Sequence, residues 1–208
     1  MFDSHSSQTR GRPVNEEARL ARRQQILAGA RACFVQRGFH ASSVSEIATA
    51  AGVSNANIYQ YFENKEALII ALIEEEVRHD LTLVHKLSGS KLQGEDLRAV
   101  MSPLFLTDEG RDRAILRCEI SSEATRNAAA GELLARSNER TIEAMAWGVR
   151  VSQASGNIPE AVDADKAAVL MAFVFDGLFL QRSLPGTDGE ALLTSLVDLF
   201  TDLLHHPH

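Results

Sequence analysis

SSVSEIATAAGVSNANIYQYF, residues 42–62, decides how the chain folds. Ser43 and Glu46 have the S-x-x-E spacing of a capping box, in which hydroxyl and carboxylate each satisfy a backbone N–H that a first helical turn leaves unpaired. A helix is predicted from Val44, with Val44, Ile47, Ala48 and Ala51 on one face, and Gly52 stops it after about two turns. Ser54 is a good N-cap for a further short helix, Asn55 to Tyr61, whose inward residues are Ile58 and Phe62. Two short helices joined by a tight glycine turn, the second carrying small polar residues on its outer side, make a helix-turn-helix, a unit that reads DNA. The only two tyrosines of the chain, Tyr59 and Tyr61, both fall here. Two residues apart on a helix, they point about 200° from one another, so one core face cannot bury both.

Working outward, residues 16–37 show apolar residues at three- and four-residue steps (Leu20, Ile26, Leu27, Ala30, Phe34, Val35), and Gly38 stops that helix. Asn64 caps a long helix from Lys65 to about Leu87, with a stripe of Leu68, Leu72, Ile73, Val77, Leu81 and Val84. After the loop SGSKLQGED, helices are predicted at roughly 95–105, 111–127, 131–155, 163–183 and 188–204, with breaks at TDEG, NAAAG, SGNIPE and LPGTDG. Thr187 and Glu190 have the spacing of another capping box. No β-hairpin pattern, repeat or low-complexity tract interrupts this, so the fold class is all-α. The organisation is a basic arm (1–15), a three-helix helix-turn-helix domain (16–63) and a helical body (64–208) joined to it by the long helix.

The 208 residues are 45% hydrophobic and 24% charged, the balance of a globular protein with an ample core. Cys33 and Cys118 lie in helical patterns without zinc-ligand spacing and read as buried thiols. The N-terminus lacks an apolar signal core, and the longest apolar run, AAVLMAFVFDGLFL (167–180), is too short to span a bilayer and contains Asp176. A cytoplasmic protein is expected, with no membrane partner. Net charge is −7, but residues 1–65 hold eight Lys or Arg against five acids, a net of +3, and the rest carries −10. That asymmetry points to a polyanion partner for the head alone.

The stretch ILAGARACFVQRGFHASSVSEIATAAGVSNANIYQYFENKEALI (26–69) resembles the DNA-binding region of TetR-family transcriptional regulators. The match runs through Ile26, Ala30, Phe34, Gly38, Phe39, Ser43, Val44, Ile47, Ala48, Ala51, Gly52, Val53, Ser54, Ile58, Tyr59, Tyr61, Phe62, Lys65, Glu66 and Leu68. Beyond residue 90 the likeness is one of architecture and of phrases such as EISSEATRN and DGLFL. The resemblance implies phosphate contacts from Tyr59, Tyr61 and Lys65, and the residues agree. Phenolic hydroxyls flanking a recognition helix fix register on the duplex, and a cation at the positive end of a helix dipole is better placed with an anion beside it. The alternative is that Tyr59 packs between the head helices and Tyr61 alone is exposed.

Asn55, Asn57 and Gln60 are candidate base readers, since their amides pair bidentately with adenine. Asn57 has the alternative of capping or turning locally. Ala56 stands where the family usually has glycine, and its methyl can meet a thymine methyl. Ser43 and Ser54 cap helices whose free N–H groups also suit phosphate. RGRP at 10–13 is like the core of an AT-hook, placing Arg10 and Arg12 in a minor groove; the alternative is a plain polar tail.

In the body, Glu119, Ser122 and Glu123 border an apolar face of Ile115, Leu116 and Ile120, where polar groups can orient a ligand. The alternative is an intrahelical pair of Glu123 with Arg126. Met101, Phe105, Cys118, Met145, Trp147 and Phe175 are candidate lining of a small-molecule effector pocket, or simply core. The last two helices offer Leu170, Val174, Gly177, Leu178 and Gln181 on one, and Leu193, Leu196, Val197, Phe200 and Leu204 on the other. By resemblance these pair with their copies in a homodimer, which suits a palindromic double-stranded operator; the alternative is intrachain core. His205, His206 and His208 are too few and too terminal for a metal site, and no catalytic motif is present, so no enzyme, cofactor or metal is expected. The resulting expectation is a ligand-responsive repressor released by a hydrophobic or aromatic effector. An activator of the same fold and an architectural DNA binder without effector are the alternatives.

Overall fold

The computed structural model describes residues 16–88 and 94–205, with Ser88, Leu203, Leu204 and His205 described by backbone alone. Arg10, Arg12 and the Leu204 side chain therefore lie outside the described residues. Within them the regular structure is helical throughout: α1 (Glu16–Ala41), α2 (Val44–Ala51), α3 (Asn55–Tyr59), α4 (Lys65–Ser88), α5 (Gly94–Leu106), α6 (Asp108–Ala124), α7 (Ala128–Ala154), α8 (Ala164–Ser183) and α9 (Gly189–His205).

The head forms where its punctuation directs. Gly38, with φ 78 and ψ 168, breaks α1 close to the predicted end. Ser43 caps α2 reciprocally with Glu46, and Gly52, at φ 66, ends it in a left-handed turn. Ile26, Leu27, Ala30 and Phe34 of α1, Ile47 and Ala48 of α2, and Ile58 of α3 are buried together. Phe34 and Phe39 meet edge to face at 4.8 Å, and each such side chain contributes about 1.5–3 kcal/mol by burial. Between α1 and α2 the approach is close enough that a Cβ on Gly29 would lie 2.6 Å from the backbone nitrogen of Ala51.

The head core continues past residue 63. Leu68, Ile69, Ala71, Leu72 and Ile73 from the first half of α4 belong to it, as do Leu116 and Ile120 of α6 and Ala130 of α7. The second half of α4 sends Val84 and Leu87 into a different core, formed with Leu97, Met101 and Phe105 of α5, Met145 and Val149 of α7, Met171, Phe175 and Phe179 of α8, and Leu193, Leu196 and Phe200 of α9. Phe105 stacks on Phe179 at 6.4 Å, and Phe175 meets Phe200 edge-on at 5.3 Å.

Three local readings are corrected. TDEG is not a loop: Thr107 is the single residue between α5 and α6, its hydroxyl accepts from Gly110 N at 3.0 Å, and Asp108 and Glu109 complement the positive end of the helix dipole. NAAAG opens α7 in the same way, with Asn127 Oδ1 accepting from Ala130 N at 3.2 Å. The capping box at Thr187 is not formed. Asp188 Oδ1 accepts from Glu190 N at 2.9 Å instead, Thr187 Oγ1 donates to Gln181 O, and Glu190 is engaged by Arg98.

The Gly29 contact generates a direct expectation. Gly29→Ala should gain helix propensity worth about 1 kcal/mol yet still destabilise the chain, by about 1–3 kcal/mol, because the methyl meets backbone that cannot rotate away. Urea unfolding of the variant beside the wild type measures it.

Candidate nucleic-acid interface and effector cavity

α3 is anchored from beneath by Ile58 and capped by Ser54, whose hydroxyl accepts from Asn57 N at 3.2 Å. That leaves Asn55, Ala56, Tyr59 and Gln60 exposed. Asn57 is half-buried and donates through Nδ2 to Gln60 Oε1 at 3.0 Å, so the two amides brace one another, while Asn55 is exposed. The helix ends at Tyr59, two residues before its predicted end. Tyr61 therefore sits in the following turn, where it packs against the head core, while Tyr59 is 54% exposed. The two tyrosines do diverge, but the alternative weighed from the sequence is reversed: Tyr61 is the half-buried one.

Lys65 opens α4 and donates through Nζ to His40 O at 3.2 Å, at the carbonyl end of α1. A cation disfavoured by the dipole of its own helix thus has a carbonyl partner just past the Gly38 break. Nearby, Arg23 lies 5.3 Å over the Phe62 ring. Glu46 Oε2 accepts from Ser43 N at 2.8 Å, and Arg37 pairs with its other oxygen. The backbone bond from Ser43, then its side chain, and to a lesser extent Arg37, hold the Glu46 carboxyl below its ordinary pKa.

In the body a cavity of about 90 Å³ is walled by Leu83, Val84, Leu87, Ile142, Met145, Phe173, Phe175 and Phe179, with Asp80, Arg117, Ser137, Asn138, Thr141 and Asp176 as its polar lining. That is room for several water molecules. Arg117 stacks 5.0 Å from the centre of the Phe179 ring and donates to Asp80 Oδ2 at 2.5 Å and Asp176 Oδ1 at 2.9 Å. Burial works against the charge of Arg117, yet Asp80 and Asp176 hold its pKa above the ordinary value. Burial raises the Asp80 carboxyl against the pull of Arg117 and Arg113.

Two family profiles cover nearly the whole described chain. Residues 26–72 match the profile described as "Bacterial regulatory proteins, tetR family", and residues 94–205, more than half of the chain, match "BetI-type transcriptional repressor, C-terminal". The chain belongs to the TetR family of transcriptional regulators. It is 27% identical over 183 residues to the HTH-type transcriptional repressor Rv1474c of Mycobacterium tuberculosis, covering 88% of this chain and 93% of that one. The solved structure of Salmonella enterica GusR superposes with a TM-score of 0.68 at 28% identity over 89% of this chain and 96% of that one. FadR from Bacillus subtilis, solved in complex with stearoyl-CoA, shares the fold at a TM-score of 0.70 and 24% identity, over 88% and 99% of the two chains. TetR-family regulators are DNA-binding proteins, not enzymes, and no helix among the described residues is long and apolar enough to cross a membrane.

Within this TetR-family body the expected ligand residues separate. Met145 and Phe175 line the cavity. Met101 and Phe105 are buried in the α5 layer of the core, and Trp147 is 57% exposed. Cys118 lies 3.6 Å from Ser183 Oγ, and Ser122 is exposed. Glu119 and Glu123 hold the head instead of bordering the cavity. Glu119 Oε2 accepts from Phe39 N at 3.0 Å, beneath a Gly38 whose missing side chain makes the room. Glu123, buried, lies 3.3 Å from His40 Nε2 and 3.9 Å from Arg126, so the intrahelical pair is present but shared. The residues that sequence reading missed, Asp80, Arg117 and Asp176, had one signal available: a lone acid within the apolar run 167–180 must find a partner.

The two last helices also divide. Leu193, Leu196 and Phe200 are fully buried within their own chain, and Val174, Leu178 and Val197 pack partly against that core, so these face inward. Leu170, Gly177 and Gln181 face out, together with Phe173 and Leu180 of α8, Leu184 just after it and Leu199 of α9.

The depressed pKa of Glu46 fixes a sign. A carboxylate favoured in the fold contributes stability that is present above its unfolded pKa of about 4.3 and is lost as pH falls through the lower folded value. Acid unfolding between about pH 5 and pH 3 should therefore be shallower for Glu46→Gln than for the wild type, and Ser43→Ala should cost about 1 kcal/mol at neutral pH. Thermal melts across that pH range and at neutral pH check both.

Proposed function

We propose that the chain is a ligand-responsive repressor that binds a palindromic operator as a homodimer and leaves it when a small, largely apolar effector enters the body. The observation that carries this is the pairing of an outward-facing recognition helix with a lined cavity in the same chain. Asn55, Ala56, Tyr59 and Gln60 have no core to serve, and Leu83, Leu87, Ile142, Met145 and Phe175 enclose space beside a guanidinium. Apolar walls with a few convergent polar groups are the usual form of a small-molecule site. The repressor direction follows Rv1474c, to which similarity extends over 88% of the chain.

In operator binding, Tyr59 and the free N–H groups at the starts of α2 and α3 sit on phosphates, Asn55 reads a base edge and Ala56 meets a thymine methyl. Lys65 serves phosphate and the end of α1 together. Phe173, Gly177 and Leu180 of α8, with Leu184 just after it, supply the apolar face for a two-fold partner, which sets two recognition helices about 34–36 Å apart for successive major grooves. The work is done on DNA, so the site of action is the cytoplasm.

Selection of bound duplexes from a random pool tests the reading. The outcome expected is a palindromic consensus. Asn55→Ala should relax one position, at a cost of about 1–3 kcal/mol for the preferred base, and Tyr59→Phe should weaken all sequences about three- to tenfold. A pool with no enriched sequence, and binding that only fades with salt, would remove the operator from the account.

A further inference from the structure

Six charged side chains from four helices form one alternating run between head and cavity. Arg31 of α1 pairs with Glu76 Oε1, and Glu76 Oε2 lies 3.5 Å from Arg113 Nε. Arg113 Nη2 donates to Asp80 Oδ1 at 3.2 Å, Arg117 Nη1 donates to Asp80 Oδ2 at 2.5 Å, and Arg117 Nη2 donates to Asp176 Oδ1 at 2.9 Å. The four central members are two pairs at i,i+4 spacing on facing helices, Glu76 and Asp80 on α4 and Arg113 and Arg117 on α6. Each α4 carboxylate gives its two oxygens to two different arginines, so no member moves without changing what its neighbour holds.

The run is balanced in charge and most buried at Glu76, with Arg31 at its head end about as exposed as Arg117. The Glu76 side chain retains 8% exposure and Arg117 24%, while Asp176, at the cavity end, retains 56%. Buried ion pairs seldom stabilise a fold more than well-packed apolar residues would; their better-attested use is to fix register between elements. This run ties α4 to α6 and reaches α1 through Arg31. A cavity occupant reaches the run at Asp80, Arg117 and Asp176, which line the cavity, and not at Arg31.

We propose that this run is the route by which occupancy of the cavity sets the attitude of the head, with Arg117 the residue that senses the occupant and Glu76 the residue that passes the change to α1 through Arg31. This rests on the reading of the chain as effector-responsive. An occupant whose polar group competes in the Arg117–Asp176 pair leaves Arg117 to Asp80 alone. Arg113 and Glu76 then redistribute, and the register of α4 against α6 and α1 changes. Arg117 and Glu76 act as positioning residues, in contact with neither bases nor phosphates.

Asp176→Asn stands in for an occupant, since it removes the cavity-side charge from Arg117. Against an operator obtained from the random pool, Asp176→Asn should weaken binding about three- to tenfold. In an Arg31→Gln/Glu76→Gln background, which removes one whole pair, the same substitution should cost less than about twofold. Arg150→Gln, which breaks the exposed Arg150–Asp165 pair outside the run, should leave affinity unchanged. Unaltered affinity for Asp176→Asn, or an equal loss in both backgrounds, overturns the proposal. If the wild type selects no operator, the regulator reading fails by itself and urea unfolding decides the run without DNA. Unfolding constants for Arg31→Gln and Asp176→Asn that multiply within about twofold refute coupling, and a larger departure supports it.

Discussion

Everything in this chain hangs on α4 being one unbroken helix shared by two cores. Its first half, through Leu68, Ile69, Leu72 and Ile73, is as much part of the head as α1 is, and its second half, through Val84 and Leu87, is buried with α5, α7 and α8. A helix of 24 residues is about 36 Å long, so one end can be fixed by the recognition domain while the other meets the cavity. Burial at both ends makes it a strut, and movement at either end is felt at the other.

Beside the apolar contacts of Leu116, Ile120 and Ala130, the junction has a polar set aimed at the end of α1. Phe39 N is taken by Glu119, His40 by Glu123 and Arg126, and the His40 carbonyl by Lys65. Gly38 is what lets Glu119 approach. The head is therefore clasped by α6 at two levels, once at these residues and once through the Arg31–Glu76–Arg113 run.

Local chemistry made the head legible: the Ser43–Glu46 box, Gly52 and the Ser54 cap act within four residues of themselves, and the structure forms all three. Where the readings missed, the answer lay in tertiary partners. Asp108 and Glu109 look like loop residues until Thr107 caps them into α6. Glu119 and Glu123 share a helix side with apolar residues, yet that side faces α1 and not the cavity. Periodicity put Leu193, Leu196 and Phe200 on one stripe of α9, but could not say whether that stripe is buried in its own chain or against a partner; it is buried in its own chain. The cavity's charges were hidden because Asp80, Arg117 and Asp176 come together only when three helices pack.

Native-state amide hydrogen exchange along α4 tests the strut most directly. The account predicts that the amides of residues 74–80, between the two cores, exchange only with global unfolding and as slowly as those near Leu72 and Val84. Exchange of residues 74–80 through a lower-energy opening, with both flanks still protected, would make the middle of α4 a hinge and contradict it.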